Sequence, residues 1–300
     1  MFIAFVLSVL EVSLSFDNAV VNAMKLENMP PIWRHRFLTW GIVVAVFGMR
    51  LLFPLLVVAL FAKISILEVG RLALSDVNQY THYLHQTHAP IITFGGMFLL
   101  MLFLRYFFNH EKDVHWLRPI EKHLAHLDQF KGIEVIISLS ILLLLDNSVL
   151  VPGLWGIIIY LLIDGVSHYL GKVGDIVKQG GIIAFIYLEL IDASFSLDGV
   201  LGAFALSKDI VIITIGLAIG AMFVRSLTIL LVEKRTLAKF RYLEHGAHWA
   251  IGALAAIMLV STIHEVPEVI TGLVGLVFIT ASLISSILHN KKMERLLAHD

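Results

Sequence analysis

Long apolar runs dominate this chain, and the polar residues inside them fall at regular spacings. Runs of about 17–25 mostly apolar residues match a bilayer core in length. They predict nine spans, at 2–24, 38–61, 90–109, 133–150, 154–170, 181–206, 209–232, 247–264 and 267–289. The polar stretch 62–89 reads as the longest loop, with room for a surface helix, and 110–132 is charged and rich in histidine. Pro152-Gly153 predicts a tight reversal between spans four and five, since both residues break helices. The first run has neither a basic leader nor a cleavage pattern, so it is expected to stay as a span.

Inside span one the polar positions form a stripe. Ser8, Glu11, Ser15, Asn18 and Asn22 recur at helical spacing on one face, with Ser13 and Asp17 on a second. Span six repeats the layout: Glu189, Asp192 and Ser196 on one face, Ser194 and Asp198 on the other. Acid-x-Ser-x-Ser-x-Asp thus occurs twice in register, from Glu11 and from Asp192, 181 positions apart. Further correspondences link Gly41 and Arg50 to Gly216 and Arg225, and Tyr83–His88 to Tyr242–His248. Spans 1–3 and 6–8 therefore read as copies that cross the membrane in opposite senses, an inverted repeat of the kind found in secondary transporters.

Charge sets the orientation. Sixteen Lys and Arg fall in the connections on one side and three on the other. By the positive-inside rule the N-terminus is expected outside and the C-terminus in the cytoplasm. The expected fold is an all-α membrane protein of about nine transmembrane helices, one polytopic domain over 1–300. Within it, 1–109 is repeat one, 133–170 a linking hairpin, 181–264 repeat two, and 265–300 a final helix with a cytoplasmic tail. Composition agrees: 58% of residues are hydrophobic and mean hydropathy is +0.88. Cysteine is absent, which excludes disulfides, thiolate metal sites and cysteine nucleophiles. The net charge of −1 offers nothing to nucleic acid.

Away from the span ends, seven carboxylates fall within the predicted spans: Glu11, Asp17, Asp146, Asp164, Glu189, Asp192 and Asp198. At most Arg50, Arg105 and Arg225 stand against them. An ion near the bilayer centre costs about 2.5–3.5 kcal/mol on insertion scales. Acids beyond the arginines must hold protons, line water or bind a cation. Carboxylate, amide and hydroxyl oxygens suit hard divalent cations. The candidate metal ligands are Asp17, Asp198, Glu11, Asp192, Asn18 and Asp146, supported by Ser15, Ser196, Glu189, Asp164, Arg50 and Arg225. Plainer readings stand beside these: serines in membrane helices bond neighbouring helices, and Arg50 and Arg225 neutralise acids. His82, His85 and His88 read either as an outer metal-gathering group or as a solvated face.

At Glu11-Val-Ser-Leu-Ser-Phe-Asp17-Asn18-Ala-Val and Asp192-Ala-Ser-Phe-Ser-Leu-Asp198-Gly-Val the chain resembles the tellurium-resistance TerC family. More narrowly it resembles a related branch long labelled a domain of unknown function, and Tyr242-Leu-Glu-His-Gly-Ala-His-Trp-Ala-Ile-Gly fits that family's later helix. The resemblance implies a multi-pass protein of the bacterial or archaeal inner membrane, related to LysE-type transporters, with manganese export as the associated activity. Gly199 stands where the first copy has Asn18, so the second copy lacks one amide ligand. The expectation is export of a divalent cation, Mn2+ foremost, as substrate rather than cofactor, with proton exchange as a coupling. The expected partners are the lipid bilayer, the metal ion, and another copy or membrane protein, and no enzymatic activity is expected. The alternatives are an intramembrane enzyme using Asp146 and Asp164 as paired aspartates, and an accessory protein of secretion or metalloenzyme maturation. From orientation, Glu11 and Asp192 are expected at mid-depth, with Asp17 displaced toward the cytoplasm and Asp198 toward the outside.

Overall fold

A computed structural model describes residues 2–27, 29–109, 112, 114–172, 181–183, 185–186, 188–190, 192, 203, 210–234, 239–264 and 266–297. It is helical throughout, with no strand among the described residues. Five helices are long and apolar enough to cross a membrane: Asn78–Phe107, Asn147–Gly165, Val211–Glu233, Leu243–Val260 and Leu273–Leu296. They coincide with the third, fifth, seventh, eighth and ninth predicted spans.

Spans one and two are built from broken helices. Helices α1 (Phe2–Leu14) and α2 (Phe16–Glu27) meet at Ser15. The Ser15 N–H still donates to the Glu11 carbonyl, and the Ala19 N–H to the Ser15 carbonyl. Arg34 closes the far end of α2, donating to the carbonyls of Leu26 and Glu27, where a cation also suits the helix dipole. Helix α3 (Pro31–Val43) passes into a π-helical segment, Val44–Leu52, before α4 (Phe53–Ala62). Pro54 accounts for the widened turn, since proline has no N–H to give to the helical ladder.

The stretch 62–89, read from sequence as a loop, is mostly helix. Helix α5 (Ile66–Ser75) starts at Ser65, whose side chain accepts from the Glu68 N–H. Asp76 does the same for Gln79 and starts α6 (Val77–Phe107) well ahead of the expected span at 90. Tyr80, Leu84 and Thr87 fall on one face and are buried, Tyr80 and Leu84 against Val58, Val69 and Ala73. Helix α7 (Arg118–Ala125) and a 3-10 turn, His126–Gln129, follow.

The hairpin reversal is also displaced. Helix α8 (Ile133–Leu142) ends at Leu143, and the chain turns at 143–146. A 3-10 turn, Asn147–Val149, leads into α9 (Leu150–Lys172). Pro152 therefore lies in the first turn of a helix, where its missing N–H has no partner to lose. Gly153 and Gly156 serve packing: a Cβ on either would strike Leu142 or the Phe94 carbonyl.

The described residues of Gly181–Leu190 form α10. Helices α11 (Ile210–Glu233), α12 (Leu243–Val260) and α13 (Glu268–Leu297) complete the bundle. Helices α6 and α12 hold its centre, packed on α9, α13 and α2. The exterior is apolar: Trp155, Leu162, Ile219, Phe223, Val277 and Leu288 are each more than half exposed. Apolar side chains outside and polar ones within is the arrangement a lipid solvent demands.

Candidate functional site

The stripe read from span one is buried along its whole length. Ser8, Glu11, Ser15, Asn18 and Asn22 are all less than one-tenth exposed. Helix α11 presses on this face through Gly216 and Gly220, four residues apart. A Cβ at Gly220 would sit 2.5 Å from Glu11 Cβ, and one at Gly216 2.6 Å from Leu7 Cβ. Small residues at this spacing let membrane helices approach backbone to backbone. Ser8 Oγ donates to the Gly216 carbonyl at 2.9 Å, fastening the seam. Glu11 is thus held between Gly220 and the hydroxyl of Ser15, which donates to Glu11 Oε1 at 3.0 Å.

Repeat two reaches the same face. Asn18 Nδ2 donates to Asp192 Oδ1 at 2.5 Å, joining residues 174 positions apart. Asp192 is buried. It is therefore brought to Asn18, about 10 Å beyond Glu11 along an ideal helix, rather than paired with Glu11 at one depth as the register suggests. Asn22 continues the face, with Oδ1 buried and without a hydrogen-bond partner among the described residues. A buried polar atom left so costs about 1–3 kcal/mol.

Arg225 anchors a second junction. It is buried, with Nη2 3.7 Å from Glu189 Oε1. The same nitrogen donates to the Gly41 carbonyl at 2.6 Å, and the guanidinium lies 3.8 Å from the Phe37 ring centre. Gly41 is required there, since a Cβ would stand 3.0 Å from the guanidinium. Arg225 thus ties α11 to α3 and neutralises Glu189.

One predicted ligand and one supporting residue lie elsewhere. Asp146 is not inside a span: it is exposed in the α8–α9 turn, its Oδ1 accepting from the Ser148 N–H at 2.8 Å. Asp164 lies 3.8 Å from Arg105, which also meets Glu134 at 3.3 Å. Asp164 is fourteen residues into α9, about 21 Å along its axis from the start, so the two aspartates make no catalytic pair. Asp198 and Ser196 lie outside the described residues, as do the side chains of Asp17 and Arg50. Among the described residues no three His, Asp or Glu side chains gather to hold a metal. His82 and His85 are exposed on α6. An apolar groove of about 480 Å3 between α1 and α11 is lined by Phe5, Val9, Ile215 and Phe223 and offers a cation no ligands.

One cluster is not legible in the sequence. Glu121 of α7 is buried. Its Oε1 accepts from the Leu117 N–H at 3.1 Å and the Trp249 indole N–H at 3.0 Å. Its Oε2 accepts from the Trp116 N–H at 2.9 Å and faces His245 Nδ1 at 3.0 Å. Burial pushes the Glu121 carboxyl up, but hydrogen bonds from His245, Trp249 and the Leu117 N–H outweigh it and hold it at about 2. Next to it, Tyr106 stacks flat on His248, ring centres 3.4 Å apart, and Lys112 lies over the Tyr106 ring. Burial pushes the Lys112 ammonium down to about 7, against the opposing pull of Glu244 and Glu121. The one signal for this cluster is the segment Tyr242–His248, which in the sequence stands out only as a mark of the repeat.

No curated protein and no solved structure matches the chain. A family model described as a protein of unknown function, DUF475, matches residues 16–293. The match takes in the last three residues of the first acidic segment, all of the second and the bundle that carries them, and the chain belongs to that family.

Proposed function

We infer that this protein is a transporter of a hard divalent cation, Mn2+ foremost, working as an exporter at the inner membrane. The observation that carries this reading is the buried run of oxygen donors Glu11, Ser15, Asn18 and Asp192, enclosed in a bundle whose outer surface is apolar. Oxygen ligands without sulfur favour Mn2+, Mg2+ and Ca2+ over softer metals. On this reading nine spans cross the membrane, with the N-terminus outside and the segments 1–109 and 181–264 as inverted copies. Reciprocal packing supports the copies: α1 of the first lies on α11 of the second, and Trp33 and Phe37 of the first meet Phe185 of the second. Asp17 and Asp198 complete the ligand set, and proton exchange is the coupling that buried carboxylates favour when a metal leaves. The resemblance to TerC proteins points the same way.

The test is Mn2+ flux in proteoliposomes. Wild type is expected to move Mn2+, and Glu11→Gln, Asp192→Asn, Asp17→Asn and Asp198→Asn each to reduce flux at least tenfold. Transport by these variants at the wild-type rate overturns the site.

A further inference from the structure

The polar face of α1 and α2 extends beyond Asn18. Asn22 lies one helical turn on, 3% exposed, with its Oδ1 buried and lacking a partner among the described residues. A buried acceptor kept at a cost in stability marks a place where something else supplies the donor.

Four residues carry Asn22 about 6 Å along the axis from Asn18. Oxygens that bind one Mg2+ or Ca2+ directly lie roughly 2.0–2.6 Å from it, and so no more than about 5 Å from each other. The longer spacing suits a hydrogen bond from water held by the ion. We propose that Asn22 is a second station on the cation path, its amide oxygen accepting from the water shell of a hard divalent cation moving between the Asn18–Asp192 pair and the end of α2. This rests on the transport reading above. A neutral amide suits such a station: it orients bound water through its dipole, where a carboxylate would also attract the ion by its full charge and slow its release.

The experiment reconstitutes the full chain as wild type, Asn22→Leu, Asn22→Asp and Asp192→Asn. Mn2+ flux is measured in liposomes, with Mn2+-dependent thermal stabilisation of the same proteins in detergent. Asn22→Leu is expected to melt at or above the wild-type temperature and to keep the wild-type Mn2+ shift, yet to move Mn2+ at least fivefold more slowly. Asn22→Asp is expected to increase the Mn2+ shift while also slowing flux. Asp192→Asn is expected to lose both shift and flux. An Asn22→Leu variant that transports like wild type overturns the proposal and leaves the transport reading standing. So does one whose flux falls only in step with a lowered melting temperature. A wild type that moves no Mn2+ overturns both.

Discussion

Glu121 and Glu11 are both almost fully buried carboxylates, in opposite surroundings. Glu121 is met by donors: two backbone N–H groups and an indole N–H donate to it, and the His245 ring faces it. A carboxylate so supplied is engaged by the protein's own donors, and its work is to bind α7 and its flanking chain to α12. Glu11 lies on a face made of acceptors and small hydroxyls. Ser15 donates to it, Ser8 directs its hydroxyl to backbone carbonyls, and Asn18, Asp192 and Asn22 bring more oxygen. Burial therefore does not distinguish a structural acid from a functional one; the balance of donors and acceptors around it does.

The contrast is tested most severely at Arg225, the strong donor placed beside the acceptor face. Arg225→Leu removes a buried charge partner of Glu189, and the expected loss is about 3–5 kcal/mol, read by chemical unfolding in detergent. A variant as stable as wild type would falsify the assignment of Arg225 as the neutralising partner. Glu121→Gln comes next, at about 2–3 kcal/mol, with the Mn2+-dependent shift unchanged because the clasp is separate from the cation face. Its pH dependence has a definite sign. The folded state holds Glu121 at about 2 against an ordinary value of 4.5, so its contribution is complete above pH 4.5 and fades as pH falls toward 2. The stability gap between wild type and Glu121→Gln should therefore narrow over that window.

Gly220→Ala follows at about 1–3 kcal/mol, the usual cost of overpacking, because its methyl meets Glu11 Cβ at 2.5 Å. It should also weaken the Mn2+ shift by displacing Glu11, an effect Glu121→Gln must not show. Asp146→Ala closes the series with the smallest change. Exposed at a turn, it should leave Mn2+ flux as in wild type, and a large loss would return Asp146 to the ligand set.

The same contrast decides what is legible in the sequence. The stripe from Ser8 to Asn22 is visible because helical periodicity is local, and five polar residues on one face of an apolar run mark a seam turned away from lipid. The Glu121 clasp joins a charged connection to a helix 124 positions later, and no periodic signal marks such a pairing. Asp146 reads as part of a span because Pro152-Gly153 has the composition of a turn; the chain in fact turns earlier, where an aspartate can cap the next helix. His245 and His248 pack into a buried joint with Tyr106 and Glu121, more than a hundred positions away in sequence.

The glycines of α11 carry one more consequence. Helices that touch at two successive turns cannot slide past one another, and Ser8 latches α1 to a carbonyl 208 positions away. Remote in sequence, α1 and α11 form one stiff plank. Any rocking of the bundle must therefore divide it along another line.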